Sequence, residues 1–312
     1  MSTAAIISNY IEHNRSLGKR FKWEALVLLA FARSAGDTPL HKVRPAMISR
    51  FINRKGCRDI TKRMKYRVLE RFFRFVVTRG RLKASPVPVI EWKRSSPSRT
   101  PYIYSQDELK RLLAAVPQAT SALSHIDAET LSTYLLLLYG AGLRRGEARR
   151  LKIEDVDLAQ SLIHVRETKF FKTRIVPLGA SLCAAIKPYV TKRCDDLVDG
   201  GNSLFVKRSG APLSDSAIGS AFKRLRRFAG IAREGDTRNQ PRLHDLRHSA
   251  AVHRVMAWYR AGADVNDLLP KLATYLGHRD LSGTQHYLTM TQELLAEASR
   301  RFETFARGPI HD

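Results

Sequence analysis

The stretch His244-Asp245-Leu246-Arg247-His248 decides how the rest of this 312-residue chain is read. It opens a segment, about 243–261, whose periodicity predicts a helix. On a helix, Arg247 and His248 lie three and four residues beyond His244, on the same face. A histidine pair at i, i+4 is also the spacing of a zinc site. That motif requires glutamate at the second position, however, and residue 245 is Asp. Arg247 completes the set, and a cation beside a metal is unfavourable. No metal ligand is expected here.

Further boxes stand on either side. Downstream come Leu276-Gly277-His278 and Thr284-Gln285-His286-Tyr287. Upstream, Ala141-Gly142-Leu143-Arg144-Arg145-Gly146-Glu147 directly follows the very apolar run Leu131–Tyr139. Burying a helix end beside arginine is costly unless the guanidinium has a partner, and Glu147, three residues on from Arg144, can supply one. Taken alone, that pair is equally a plain helix cap. Leu162–Glu167 and Thr173–Leu178 read as two short strands joined by Thr168-Lys169-Phe170-Phe171-Lys172, with a third strand around 203–207. A lone His or Tyr is by default a structural residue. The joint order is what carries meaning: Arg, a lysine hairpin, H-x-x-R, G-H, then Tyr.

The first ninety residues read as helices. Lys22–Gly36 has Trp23, Leu26, Leu29, Ala30 and Phe31 near helical spacing, and Pro45–Lys55 opens with proline at a helix start. Asp59–Gly80 carries an inner stripe of Met64, Val68, Leu69, Phe72, Phe73 and Val76. Its intervening Lys62, Arg63, Lys65, Arg67, Arg71 and Arg74 offer a cationic face suited to phosphates. Residues 81–104 hold Pro86, Pro88, Pro97 and Pro101 and read as an extended linker. Ser105 with Glu108 forms a capping box that opens the second half, where further helices are expected at about 127–140, 145–155, 180–195, 214–229, 264–276 and 291–306.

Composition bounds the partner. The chain has 54 Lys and Arg against 29 Asp and Glu, a formal net charge of +25. Residues 1–99 hold 23 of those cations against 6 acids, a surplus of 17, which leaves 8 for the remainder. Such a surplus opposes compaction by self-repulsion and is matched to a polyanion. Nucleic acid is the first expectation and an anionic membrane surface the second, although no apolar run is long enough to span a bilayer. Cys57, Cys183 and Cys194 form no C-x-x-C pair and are expected as small buried hydrophobes, with no disulfide framework and no Cys-based zinc site. Met1-Ser2-Thr3-Ala4-Ala5 lacks the layout of a secretion signal, so a cytoplasmic, DNA-associated protein is expected.

In their order and spacing, the boxes at 141–147, 168–178, 244–248, 276–278 and 284–287 resemble the tyrosine recombinases, the phage-integrase and Xer-like enzymes. From His244 onward the chain looks most like integrases of transposons and genomic islands. It departs from the commonest Xer-type pattern in a longer interval between Arg247 and His278, and in Arg145-Gly146, where many relatives have an apolar residue and Ser.

The resemblance implies a mainly α fold with a small antiparallel β-sheet in two domains. Residues 1–97 would form a helical, SAM-like core-binding domain and 98–312 the catalytic domain. It implies that Tyr287 attacks a DNA phosphodiester and leaves a 3′-phosphotyrosine, with Arg144 and Arg247 neutralising the phosphoryl oxygens. Lys169 would be the general acid, with Lys172 as the alternative. His244 would assist proton transfer or bond the phosphate, His278 would donate to a non-bridging oxygen, and Glu147 would orient them. No cofactor, metal or ATP is called for. The expected partners are double-stranded DNA recombination sites, three further copies in a tetramer, and an accessory DNA-bending protein. The segment 291–305 would dock onto a neighbouring copy or onto its own domain. Integration and excision of a mobile element is the role favoured. A Xer-like dimer resolvase, a type IB topoisomerase-like enzyme and a silent architectural protein are the alternatives.

Overall fold

In a computed structural model of the chain, residues 2–92, 100–121, 124–166, 173–196, 202–235, 239–278 and 299–300 are described. The chain separates into two compact units, residues 1–98 and 99–312. The architecture is mostly helical with one three-stranded antiparallel sheet, the fold class expected from the sequence. No described helix is long and apolar enough to cross a membrane.

Among its described residues the first unit contains four α-helices: α1 (Thr3–Ser16), α2 (Lys22–Ala35), α3 (Pro45–Ile52) and α4 (Asp59–Thr78). Their shared core centres on Ile7, Leu28, Ile48, Ile52, Leu69, Phe72, Phe73 and Val76, none of which is exposed to solvent. On α2 the buried set is Ala25, Leu28, Phe31, Ala32 and Ala35, the i, i+3, i+4 series of one helical face, with Val27 buried beside it. Leu26 and Leu29, expected inside, are exposed, because apolar residues surround most of this helix and leave its phase to its packing against α1, α3 and α4. Met64 likewise leaves the expected inner stripe of α4 and faces solvent.

Three of the six α4 cations are engaged with neighbours. Lys62 pairs with Asp59, Arg63 lies over Trp92 and Lys65 over Phe51. Arg67, Arg71 and Arg74, spaced by four and three, are exposed along one face. The expected linker is shorter than its proline content implies. Leu82, Val87, Ile90 and Trp92 pack onto the first core, while Tyr104 is fully buried in the second unit and donates its backbone N–H to Ser249 Oγ at 2.8 Å.

The second unit is built around α7 (Ala128–Gly140), whose Leu131, Tyr134, Leu137 and Leu138 are buried. Before it come α5 (Gln106–Ala114), opened by the Ser105–Glu108 capping box, and α6 (Val116–Ala119). After it α8 (Arg145–Arg149) stops well short of the expected residue 155. There Lys152 turns extended, Ile153 N–H bonds Asn202 O, and Leu204 N–H bonds Leu151 O, so the chain leaves the helix to pair with residues 202–204.

The sheet is β1 (Val156–Asp157), β2 (Leu162–Val165) and β3 (Arg174–Pro177), paired in that order. The third strand is therefore β1, not 203–207, where only isolated bridges occur, Lys152 with Ser203 and Val206 with Pro212. Ile163, Val165 and Val176 face the core. The further helices with bounds among the described residues are α9 (Ala180–Asp195), α10 (Asp215–Phe228), α11 (Leu243–Arg260) and α12 (Val265–Leu276). All three cysteines are free, and contrary to expectation none is buried: Cys57 and Cys183 are half-buried and Cys194 is exposed.

Candidate active site

Three turns of the second unit meet where the sequence boxes predicted a site. The first is the α7–α8 turn. Gly142 has φ +58°, and a Cβ on it would lie 2.7 Å from Leu276 Cδ2, so this position demands glycine for both backbone and space. Arg144 follows in extended conformation and caps α8. Its backbone N–H and its Nη1 donate to Glu147 Oε2 and Oε1 at 2.9 and 2.7 Å. The pair is thus a helix cap, and it leaves Arg144 Nη2 directed at the end of α12.

The second turn closes α12. Gly277 takes the left-handed conformation, φ +67°, and His278 N–H returns to Ala273 O at 2.9 Å. That termination aims the carbonyls of residues 275–277 outward, where three guanidiniums take them. Arg174 Nε donates to Tyr275 O at 3.1 Å, Arg247 Nη2 to Leu276 O at 2.6 Å, and Arg144 Nη2 to Gly277 O at 2.6 Å. Arg247 is only 1% exposed and also donates Nη1 to Gly142 O, so one side chain ties the α7–α8 turn to the end of α12. A buried guanidinium is tolerable because carbonyl oxygens satisfy it.

The third element is the start of α11. Asp245, fully buried, accepts from Arg242 N–H and Nη2 at 2.8 and 3.1 Å and caps the helix. This explains aspartate at the position where a zinc motif would place glutamate. His244 is half-buried, and its ring meets that of His248 edge-on at 4.8 Å. Burial, and then the Arg247 charge, push the His244 pKa below its ordinary value, so its imidazole is neutral at pH 7.

Electrostatically the site is a cationic nest around one carboxylate. Glu147 is 4% exposed and binds two arginines, Arg144 and Arg174. Burial alone would raise its pKa. The hydrogen bonds and charge of Arg174, with the Arg144 bonds, overcome that and hold it down to about 2. With Arg247 included, three permanent cations face one anion, a surplus suited to a phosphate. Beside α8 a cleft of about 650 Å³ is lined by Arg145, Lys223, Arg226, Arg227 and Arg242, which extends the positive surface along α10. Among the described residues no group of three or more His, Cys, Asp or Glu side chains is gathered for a metal ion.

Of the residues singled out in the sequence, Arg144, Arg247 and His278 meet around the α12 turn, with His244 one helical turn before Arg247 on α11. Lys169, Lys172, Tyr287 and, apart from residues 299–300, the segment 291–305 lie outside the described residues. Arg174 is the member of the site that sequence reasoning missed. Its only sequence signal is a basic residue at the start of a short strand that buries its other face. Tyr275 is a packing residue, as expected, and its hydroxyl donates to Pro177 O at 3.3 Å.

The same region is similar to known proteins. The family model described as "Phage integrase family" matches residues 103–293, which span the whole constellation. A protein of Sinorhizobium fredii designated an integrase/recombinase, y4rB, is 34% identical over 305 residues, covering 95% of this chain and 96% of its own. Tyrosine recombinase XerC of Oceanobacillus iheyensis is 27% identical, with 93% of this chain and 90% of its own covered. Among solved structures, the Tn1549 transposon integrase in complex with transposon right end DNA superposes with a TM-score of 0.64 over 98% of this chain and 100% of that one, at 17% identity. The XerA recombinase gives 0.51 over 98% and 99%, at 22% identity, so both share the fold.

The chain belongs to the phage integrase family, the tyrosine recombinases. Members of that family are DNA strand-transferring enzymes that act in site-specific recombination.

Proposed function

We propose that this protein cuts and rejoins DNA at specific sites through a 3′-phosphotyrosine, and that it integrates and excises a mobile element. The observation that carries the reading is the convergence of Arg144 and Arg247 on carbonyls of adjacent residues, Gly277 and Leu276, directly before His278. Two guanidiniums fixed on one turn beside a histidine form a preorganised receptor for a phosphate whose negative charge grows in the transition state.

In this reading the Tyr287 phenol oxygen attacks the scissile phosphorus, and a new P–O bond replaces the bond to the 5′-oxygen. The phenol gives up its proton, and the departing 5′-oxygen takes one from Lys169, with Lys172 as the alternative donor. Arg144 and Arg247 hold the non-bridging oxygens, His278 donates to one of them, and neutral His244 assists proton transfer. The phosphodiester energy is kept in the ester, so the reverse attack by a 5′-hydroxyl rejoins a strand without ATP. The guanidiniums take the charge-neutralising role that metal ions fill in many nucleases.

The mobile-element role is supported by the resemblance of the region from His244 onward to transposon and genomic-island integrases. Four copies on two sites, with a bending protein to bring the sites together, complete the proposal. The test is capture on nicked duplexes tiled across the DNA flanking the gene. One duplex is expected to give a covalent protein–DNA product that survives denaturant and forms equally well in EDTA. No product from any duplex, or a product abolished by EDTA, overturns the reading.

A further inference from the structure

We infer that Arg174 is a positioning residue for strand cleavage: it holds Glu147, and through Glu147 the guanidinium of Arg144, in the orientation that meets the scissile phosphate. This inference rests on the reading just given.

Glu147 receives four donors in one arrangement. Oε1 takes Arg144 Nη1 at 2.7 Å and Arg174 Nη1 at 3.1 Å, while Oε2 takes Arg144 N–H at 2.9 Å and Arg174 Nη2 at 2.8 Å. Arg174 therefore grips the carboxylate with both terminal nitrogens, the geometry in which arginine fixes a plane as well as a distance. Its third donor, Nε, holds the α12 turn at Tyr275 O. That approach depends on Gly277, since a Cβ there would lie 2.9 Å from Arg174 Nη1.

Charge gives the arrangement its purpose. A lone Arg144–Glu147 pair would be neutral, and the arginine would have little left for a phosphate. With Arg174 matching the carboxylate, the charge of Arg144 stays uncompensated while its orientation is still dictated by Glu147. Arg174 also pairs in register with Val165 at the end of the β2–β3 ladder that the sequence connects through Lys169.

The test uses the full-length protein and two versions of the captured duplex. One has an ordinary scissile phosphate. In the other a methyl group replaces a non-bridging oxygen, so the phosphonate is neutral and has less need of Arg144. Arg174→Ala is expected to slow cleavage of the phosphodiester by about 100-fold, the scale of a displaced transition-state donor. On the neutral substrate it should stay within about threefold of the wild type, because the charge it serves is gone. Arg174→Lys, which keeps the charge but cannot span both oxygens, should fall between, with duplex affinity unchanged in each. On the phosphodiester, Arg144→Ala combined with Arg174→Ala should be no slower than Arg144→Ala alone.

Equal slowing of both substrates, or a double variant slowed by the product of the single effects, would show that Arg174 supports the fold and does not act through Arg144. Wild-type rates in Arg174→Ala would overturn the inference outright. A wild-type protein that captures no duplex fails at the earlier step, the recombinase reading itself.

Discussion

Glu147 is the residue on which the chemistry of the site turns. Its pKa is held down to about 2, below the ordinary carboxylate value of 4.5. A carboxylate depressed by folding contributes stability above its unfolded pKa and loses it as the pH falls through the folded one. The contribution is therefore intact above about pH 4.5 and disappears between there and about pH 2. Glu147→Gln should cost about 3 kcal/mol at pH 7, since it breaks a buried charge pair. Thermal melts across pH should show wild type and variant converging as the pH approaches 2. A constant gap would place the acid sensitivity elsewhere. Arg144 and Glu147 are legible as a pair from their spacing of three. Arg174 is not, because it is one of 54 Lys and Arg residues and only the sheet register brings it to Glu147.

At the scale of elements, the helices follow from periodicity wherever one face alone is buried, as on α4 and α10. Periodicity fails where a segment is apolar most of the way round or answers to a distant partner. The phase of α2, the early end of α8 and the placement of the third strand are such cases. Each is settled by partners outside the segment itself: α2 by α1, α3 and α4, Ile153 by Asn202, and β1 by β2. The β2–β3 hairpin has its own test. If Lys169 protonates the departing 5′-oxygen, Lys169→Ala should slow an ordinary phosphodiester by about 100-fold or more. A substrate with sulfur at the 5′-bridging position leaves without a proton, so its rate should be nearly unchanged. Equal effects on the two substrates would move the acid to Lys172 or make the hairpin lysines structural.

For the whole molecule, the surplus of 25 positive charges is unevenly distributed. The cations of the active site are few and mostly satisfied by carbonyls or by Glu147. Arg67, Arg71 and Arg74 are exposed on one face of α4, within residues 1–99, which hold 17 of the surplus. If this face binds DNA, as the proposed function requires, they displace counterions from its phosphates. Replacing all three with alanine should reduce the salt slope of duplex binding by about 3, close to one for each phosphate no longer neutralised. The catalytic rate once DNA is saturated should hold. An unchanged slope with a lower rate would assign these arginines to something other than phosphate binding. Net charge alone leaves a membrane surface as an alternative, and family membership removes the need for it.

Everything rests on Tyr287, whose role comes from its place in the Thr284–Tyr287 box. Digestion of the captured protein–DNA product, followed by mass spectrometry of the nucleotide-bearing peptide, identifies the attached residue and the end of the strand it holds. The expected result is a single adduct on Tyr287 through a 3′-phosphate, absent from Tyr287→Phe. An adduct on any other residue, a 5′-phosphate linkage, or undiminished capture by Tyr287→Phe would contradict it.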